Sequence, residues 1–366
     1  MSTWPHVVSR KIRILGPLPP PYGGVSIYME RLRDLLTDAQ VRFWCYPYQQ
    51  SSDSRTRFFR HRQLGVIPLV LSEGRSAQVL DASHFHLEYP NPILLPLWIA
   101  LKGFLHLRWI KMIHDGSLPA RYEKFSSLDK FLFKLAIRNI DEFVAVQEEL
   151  QHWLRATIGV SQNVTTIPSL LPIPLEGKTQ LLSPELKQAL SRYLSATKRV
   201  CSIGAFIHEY GFMHVAEAVE SIRNETGEDI RLLLLDGNFA RDDKYRDLVL
   251  RDRDWITALA EIPNAQVFAI LKQSDLFVRA FSQESYGLSR VEAIWCDVPV
   301  VATNVGETRG MLTYEFGDVE SLKQQIRRGL FQQEPNDLRE ASAMFHQEAE
   351  RNLENLKRVL GITSKH

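Results

Sequence analysis

The chain has 366 residues, of which 45% are hydrophobic and 24% charged, with a net charge of +1. This is the length of two ordinary domains and the composition of a soluble globular protein. The near-neutral total hides an asymmetry: residues 1–197 hold 23 Lys+Arg against 16 Asp+Glu, a net of +7, and the remainder holds 21 against 27, a net of −6. A basic first half suits an anionic surface or substrate, while the pI of 7.8 and the lack of a binding motif exclude nucleic acid. The three cysteines, Cys45, Cys201 and Cys296, are scattered. They offer no metal spacing and no disulfide framework, so a reducing cytoplasm is expected. The opening MSTWPHVVSRK lacks an apolar signal core, so export is not expected. No short-period repeat, collagen pattern or coiled coil is present.

In chain order, Ile12–Leu15 reads as a strand, followed by GPLPPPYGG and a helical pattern from Val25 to Leu32. Gly23 and Gly24 stand at the helix entry, where glycine lets another group come near the backbone. There is no G-x-G-x-x-G and no phosphate-loop lysine. Further strands are expected at Val41–Trp44, His84–Leu87, Trp109–Ile113, Glu142–Val146 and Val164–Ile167. Between them, RTRFFRHR places Phe58 and Phe59 among Arg55, Arg57, Arg60 and Arg62. That mixture reads either as a solvated segment or as a contact with a membrane surface. The apolar stretch from Pro92 to Leu107 is short for a bilayer span and reads as a buried helix. After SLLPIP, a polar segment to Thr197 reads as the connection between domains.

The second half restarts the alternation. Strands are expected at Val200–Gly204, Arg231–Leu235, Gln266–Phe268, Asp275–Arg279 and Pro299–Thr303, with a helix over Met213–Arg223. The tail from Phe345 to Leu360 is amphipathic. The fold class is therefore α/β: two Rossmann-like doubly wound domains that turn the carboxyl ends of their strands toward one cleft. The boundaries are 1–175 for the first domain, 176–197 for a linker, 198–344 for the second domain, and 345–366 for a C-terminal helix with the option of crossing back.

The segment ESYGLSRVEAIWCDVPVVAT, Glu284 to Thr303, carries the chemistry. Gly287 permits a tight turn into a helix, and the amides of Gly287, Leu288 and Ser289 would point at an anion. Glu284 precedes that anion site and Glu292 lies two turns further on. Such carboxylates would reach past a phosphate to the neutral hydroxyls of a sugar and a ribose. Asp252 and Asp254 spell D-x-D within a charged helical run, which reads as a solvated face, so no metal site is expected.

E-x7-E followed by P-V-V-A-T resembles the group 1 (family 4) retaining glycosyltransferases, whose fold is GT-B. The resemblance covers most of the chain. It implies that the loop with Gly23 and Gly24 approaches the donor's sugar and phosphate, and that His114, after the strand RWIKMI, meets the donor sugar or the acceptor hydroxyl. It makes His114 and Glu284 the candidate catalytic residues. Gly204, Tyr210, Arg279, Gly287, Leu288, Ser289, Glu292 and Arg309 complete the donor site. The family's diphosphate-gripping arginine and lysine are replaced by Ala205 and Tyr210, which passes the task to Arg279 and Arg309. Bacterial polysaccharide members, with Y-G and V-R at these places, resemble the chain better. The resemblance thus implies a metal-independent transferase without a cofactor. Its donor is a nucleotide sugar and its acceptor a hydroxyl, either free or lipid-linked, reached from the cytoplasm or the inner face of the plasma membrane. A sugar-nucleotide epimerase and a catalytically silent partner subunit remain the alternatives.

Overall fold

The computed structural model describes residues 11–49, 53–60, 62–83, 94–173, 181–332 and 335–362. The chain divides into two units. Unit 1 comprises Met1–Pro19, Val25–Pro174 and Arg351–His366, and unit 2 comprises Pro20–Gly24 and Leu175–Glu350.

The first half alternates strands and helices in the order β1 (Ile12–Pro17), α1 (Gly24–Leu35), β2 (Val41–Tyr46), β3 (Thr56–Phe58), α2 (Arg62–Gly65), α3 (Ile67–Glu73), β4 (Gln78–Asp81), α4 (Leu94–Leu105), β5 (Arg108–Ile113), α5 (Leu118–Glu123), α6 (Ser127–Arg138), β6 (Glu142–Ala145), α7 (Glu148–Trp153) and β7 (Asn163–Thr166). The seven strands form one parallel sheet, ordered β3-β2-β1-β4-β5-β6-β7. Ile12, Ile14 and Leu15 are all buried, as a central strand covered on both faces requires. The order reverses between β1 and β4, which brings the loops after these two strands together.

The second half begins with α8 (Pro184–Ala189) and α9 (Ser191–Leu194). It continues through β8 (Lys198–Phe206), α10 (Phe212–Thr226), β9 (Ile230–Arg241), α11 (Asp243–Leu250), β10 (Ile256–Ala260), α12 (Asn264–Leu271), β11 (Leu276–Arg279), α13 (Leu288–Trp295), β12 (Val300–Thr303), β13 (Leu312–Tyr314), α14 (Val319–Phe331) and α15 (Pro335–Leu360). Its six strands are also parallel, ordered β10-β9-β8-β11-β12-β13. The reversal here falls between β8 and β11.

Several expectations are corrected. The strand expected at His84–Leu87 falls outside the described residues, and the strand of that region is β4. Gln266–Phe268 is not a strand but the middle of α12. Val267 to Leu271 are all buried behind Pro263 at the helix start, and a short apolar run does not distinguish the two states by itself. The strands not expected are β3, β4, β10 and β13; β10 is mostly half-buried, and β3 and β13 are only three residues long. The stretch from Pro92 to Leu107 yields α4, which buries Leu95, Trp98 and Leu105 but leaves Leu97 and Phe104 exposed. Residues 181–197 of the expected linker carry α8 and α9 and belong to unit 2.

Gly211 turns the chain from β8 into α10 with φ +61°, and a Cβ there would stand 2.6 Å from the carbonyl oxygen of Ala280. Both the left-handed backbone and the backbone contact exclude a side chain. Gly211→Ala is expected to destabilise the protein by about 2–3 kcal/mol. Urea unfolding with a lower midpoint and unchanged slope checks this.

Candidate active site

In unit 2 the loops after β8 and β11 run side by side. A single 3-10 turn, His208–Tyr210, follows β8 and leads into Gly211. Tyr210 folds back over Gly204, where a Cβ would stand 2.5 Å from the ring, so glycine is what admits it. Tyr210 then stacks on Phe281 from the β11 loop, with centroids 4.1 Å apart and planes at 11°. The Arg279 guanidinium lies over both rings, 4.9 and 5.2 Å from their centroids. Its Nη1 donates to the Ile203 carbonyl at 2.6 Å and its Nε to Glu284 Oε2 at 2.7 Å. Burial opposes both charges. For Arg279, burial is outweighed by Glu284 and Tyr210 together, which raise its pKa. For Glu284, burial is outweighed by Arg279 and then Arg290, which together hold its carboxyl below the ordinary value.

The β11 loop is also fixed from behind. Arg290, fully buried on α13, donates to the carbonyls of Val305 and Glu307 at 2.5 and 3.1 Å and to Thr303 Oγ1 at 2.9 Å. Burial pulls its pKa down to about 10. Thr303 Oγ1 in turn donates to the Phe281 carbonyl at 2.7 Å. Tyr286 donates its hydroxyl to Glu348 Oε1 at 2.8 Å, and Arg309 reaches Glu348 Oε2 at 2.7 Å. Arg309 also holds Glu307, through Nε at 2.8 Å. Gly287 has φ +85° and opens α13, so the amides at the helix start follow a left-handed turn. Glu292 is buried on the same helix.

In unit 1, β4 ends at Asp81 and β5 carries Lys111, both almost fully buried and 3.3 Å apart. Asp81 accepts from the Ser83 amide at 2.8 Å, the Ser83 hydroxyl at 2.5 Å and Trp109 Nε1 at 3.3 Å. Lys111 donates to the Ser83 carbonyl. His114, buried just beyond β5, meets Tyr28 of α1 edge to face, with centroids 4.9 Å apart. Asp115 caps the next turn through Ser117 and pairs with Arg121 at 2.7 Å. A Cβ at Gly24 would meet no atom within 4 Å, so packing does not require glycine there.

The structure thus gathers Gly204, Tyr210, Arg279, Glu284 and Gly287 at one edge of the second sheet, with Leu288, Ser289 and Glu292 on the helix that follows. It engages both arginines expected to meet a diphosphate: Arg279 by Glu284, and Arg309 by Glu307 and Glu348. Ala205 is fully buried, so an arginine has no room there. The aromatic-basic segment is corrected. Phe59 is in the core of unit 1 and Phe58 packs against that core. Arg55 holds the Leu36 carbonyl and Asp53, Arg57 lies 3.6 Å from Glu73, and Arg60 covers Tyr48. The side chain of Arg62 lies outside the described residues. The phenylalanines are drawn inward because the segment is an edge strand, β3, paired with β2. Sequence reasoning missed Phe281, Arg290, Glu348 and the Asp81–Lys111 pair. For the last, charged residues inside apolar strand runs were the available signal. Among the described residues, no group of three or more His, Cys, Asp or Glu could hold a metal ion.

The chain is similar to known glycosyltransferases in sequence and fold. Residues 197–331 match the family model of the group 1 glycosyl transferases. A 2-deoxystreptamine glucosyltransferase of Streptomyces kanamyceticus is 24% identical over 64% of this chain and 65% of its own length, just under two thirds. A putative teichuronic acid biosynthesis glycosyltransferase, TuaC, of Bacillus subtilis is 24% identical over 48% of this chain and 41% of its own. Anabaena HepE, solved in complex with UDP and glucose, aligns with a TM-score of 0.73 at 15% identity, covering 97% of this chain and 100% of that one. The fold is GT-B, a two-domain α/β architecture. The stretch that matches the group 1 glycosyl transferase model lies within its second unit.

Removing one partner of a buried ion pair strands the other's charge. Lys111→Met is expected to cost about 3–5 kcal/mol, and Asp81→Asn in the same chain to recover much of that. Chemical unfolding of both proteins checks this, and equal stability of the single and double variants contradicts it.

Proposed function

We propose that the protein transfers a sugar, with retention, from a nucleoside diphosphate sugar to a hydroxyl acceptor. The observation that carries the reading is the placement of Arg279, Glu284 and the α13 amides around one turn, at the strand reversal of the group 1 domain. As the bond from sugar C1 to the diphosphate breaks, negative charge grows on the leaving oxygen. The amides of Gly287, Leu288 and Ser289, with the Arg279 charge beside Tyr210, would stabilise it. The acceptor oxygen bonds to C1 from the same side, and its proton passes to the departing phosphate. Glu284 would accept from sugar hydroxyls and Glu292 from the ribose. His114 of unit 1 would meet the donor sugar or the acceptor, and Gly23 and Gly24, grouped with unit 2, would allow close backbone approach. The likeness to TuaC supports an acceptor in cell-surface polysaccharide synthesis, and the basic first half supports an anionic, membrane-side acceptor.

Arg279 can serve a diphosphate only to the extent that Glu284 releases it. Glu284→Gln removes the competing negative charge and is expected to tighten UDP binding roughly three- to tenfold while lowering turnover about ten- to hundredfold. Calorimetric titration and a steady-state assay on the same preparation check both halves. Weaker UDP binding in that variant would contradict the role of Arg279.

The proposed site uses amides and a guanidinium, so activity is expected to survive dialysis against EDTA. Complete loss restored by magnesium or manganese would overturn this part of the reading. The silent-subunit alternative draws on one observation, that carboxylates hold both candidate arginines. A panel of nucleotide sugars assayed with and without acceptor separates the readings. An epimerase alters the donor alone, and a silent subunit alters nothing.

A further inference from the structure

We propose that unit 1 carries a docking surface for an anionic lipid bilayer, formed by the outward stripes of α4 and α6. Helix α4 reads LLPLWIALKGFL, and its buried side uses Leu95, Trp98 and Leu105. Leu97 and Phe104, seven residues apart, share the opposite side and are 40% and 79% exposed. Ala100 is exposed between them. On α6 the inward side is Leu132, Phe133, Ala136 and Ile137. The outward side repeats at helical spacing: Leu128 and Phe131, 62% and 64% exposed, then Lys134 and Arg138, both exposed.

The two helices lie on one face of the sheet. The steps β4 to β5 and β5 to β6 move the same way across a parallel sheet, so right-handed crossovers place α4 and α6 side by side on one face. Lys102 of α4 reaches Asp141, just beyond α6, at 2.8 Å. Four large apolar side chains are thus exposed on two helices of one sheet face, Leu97 and Phe104 on α4 and Leu128 and Phe131 on α6.

The charge of this face favours lipid phosphates. Lys124, Lys134 and Arg138 are exposed in or beside the α6 stripe. The acids nearby have partners of their own: Asp129 accepts from the Ser126 hydroxyl at 2.7 Å, and Glu123 lies 3.7 Å from Lys130. Apolar side chains at the acyl boundary with lysine and arginine stems rising to the phosphates is the pattern of an interfacial helix. The surface deepens the membrane-side part of the proposed function. It stands or falls without the transfer reaction, since binding is read with no donor or acceptor present.

The test is flotation of the full chain with vesicles of phosphatidylcholine and with vesicles half phosphatidylglycerol. The expected result is binding to the anionic vesicles at least about tenfold stronger than to neutral ones. Each cation near such a surface contributes about fivefold, so Lys134→Glu with Arg138→Glu should lower partitioning by at least about 25-fold. Phe104→Ser with Phe131→Ser should weaken it about tenfold and make the remainder more sensitive to salt. Melting followed by circular dichroism confirms that each variant is folded, and Lys134→Gln with Arg138→Gln replaces any that is not. Equal binding of wild type to both vesicle types, or wild-type partitioning by the variants, overturns the proposal. So does a dimer in sedimentation that the same substitutions dissolve, which would assign the face to a second copy of the chain.

Discussion

Arg279 and Glu284 form a buried ion pair at 2.7 Å, and the candidate site is arranged around it. A guanidinium at the end of β11 would be costly to bury alone, as would a carboxylate in the following turn. Together they close that turn, place the guanidinium against the stacked rings of Tyr210 and Phe281, and tie β11 to the Ile203 carbonyl of β8. The glycine at 204 then has a physical cause, since the ring that covers the guanidinium occupies the space of its side chain. The pair also sets the electrostatics: a positive charge beside the β8 turn is present but offset by its own carboxylate. A ligand with more negative charge than one carboxylate would compete for it.

The rest of the β11 loop is held by Arg290, Tyr286 and Arg309. Arg290 satisfies carbonyls of the β12 loop, and Tyr286 and Arg309 converge on Glu348 of α15. These contacts give the start of α13 a fixed direction, which a helix terminus needs if its amides are to act on a developing charge without reorganising. In unit 1 the Asp81–Lys111 pair plays a similar part. It fixes the turn after β4 through Ser83, beside the strand that leads to His114.

Much of this was legible in the sequence. The alternation of short apolar runs and helical patterns gave the α/β class, and the Glu284–Thr303 segment gave a turn, helix and strand in their observed order. Gly287 was read as a turn and has the positive φ that such a turn requires. What the sequence withheld was tertiary. Nothing in FVRAFSQE says that Arg279 would turn back onto Glu284 five residues later. Likewise RTRFFRHR cannot show that Phe59 enters the core, because that depends on β3 pairing at the sheet edge. NAQVFAIL was misread because an apolar run buried on all sides has no periodicity to distinguish helix from strand. The exposed stripe of α4 was hidden for the same reason: an almost wholly apolar helix does not announce which side meets solvent.

The account makes Glu284 act on nucleotide binding through Arg279, so the two residues must be coupled. A double-mutant cycle on UDP affinity by calorimetry, using Arg279→Ala, Glu284→Gln and both together, measures that coupling directly. The account predicts that Glu284→Gln tightens UDP only while Arg279 is present and leaves affinity unchanged in the Arg279→Ala background. An equal effect of Glu284→Gln in both backgrounds would contradict it.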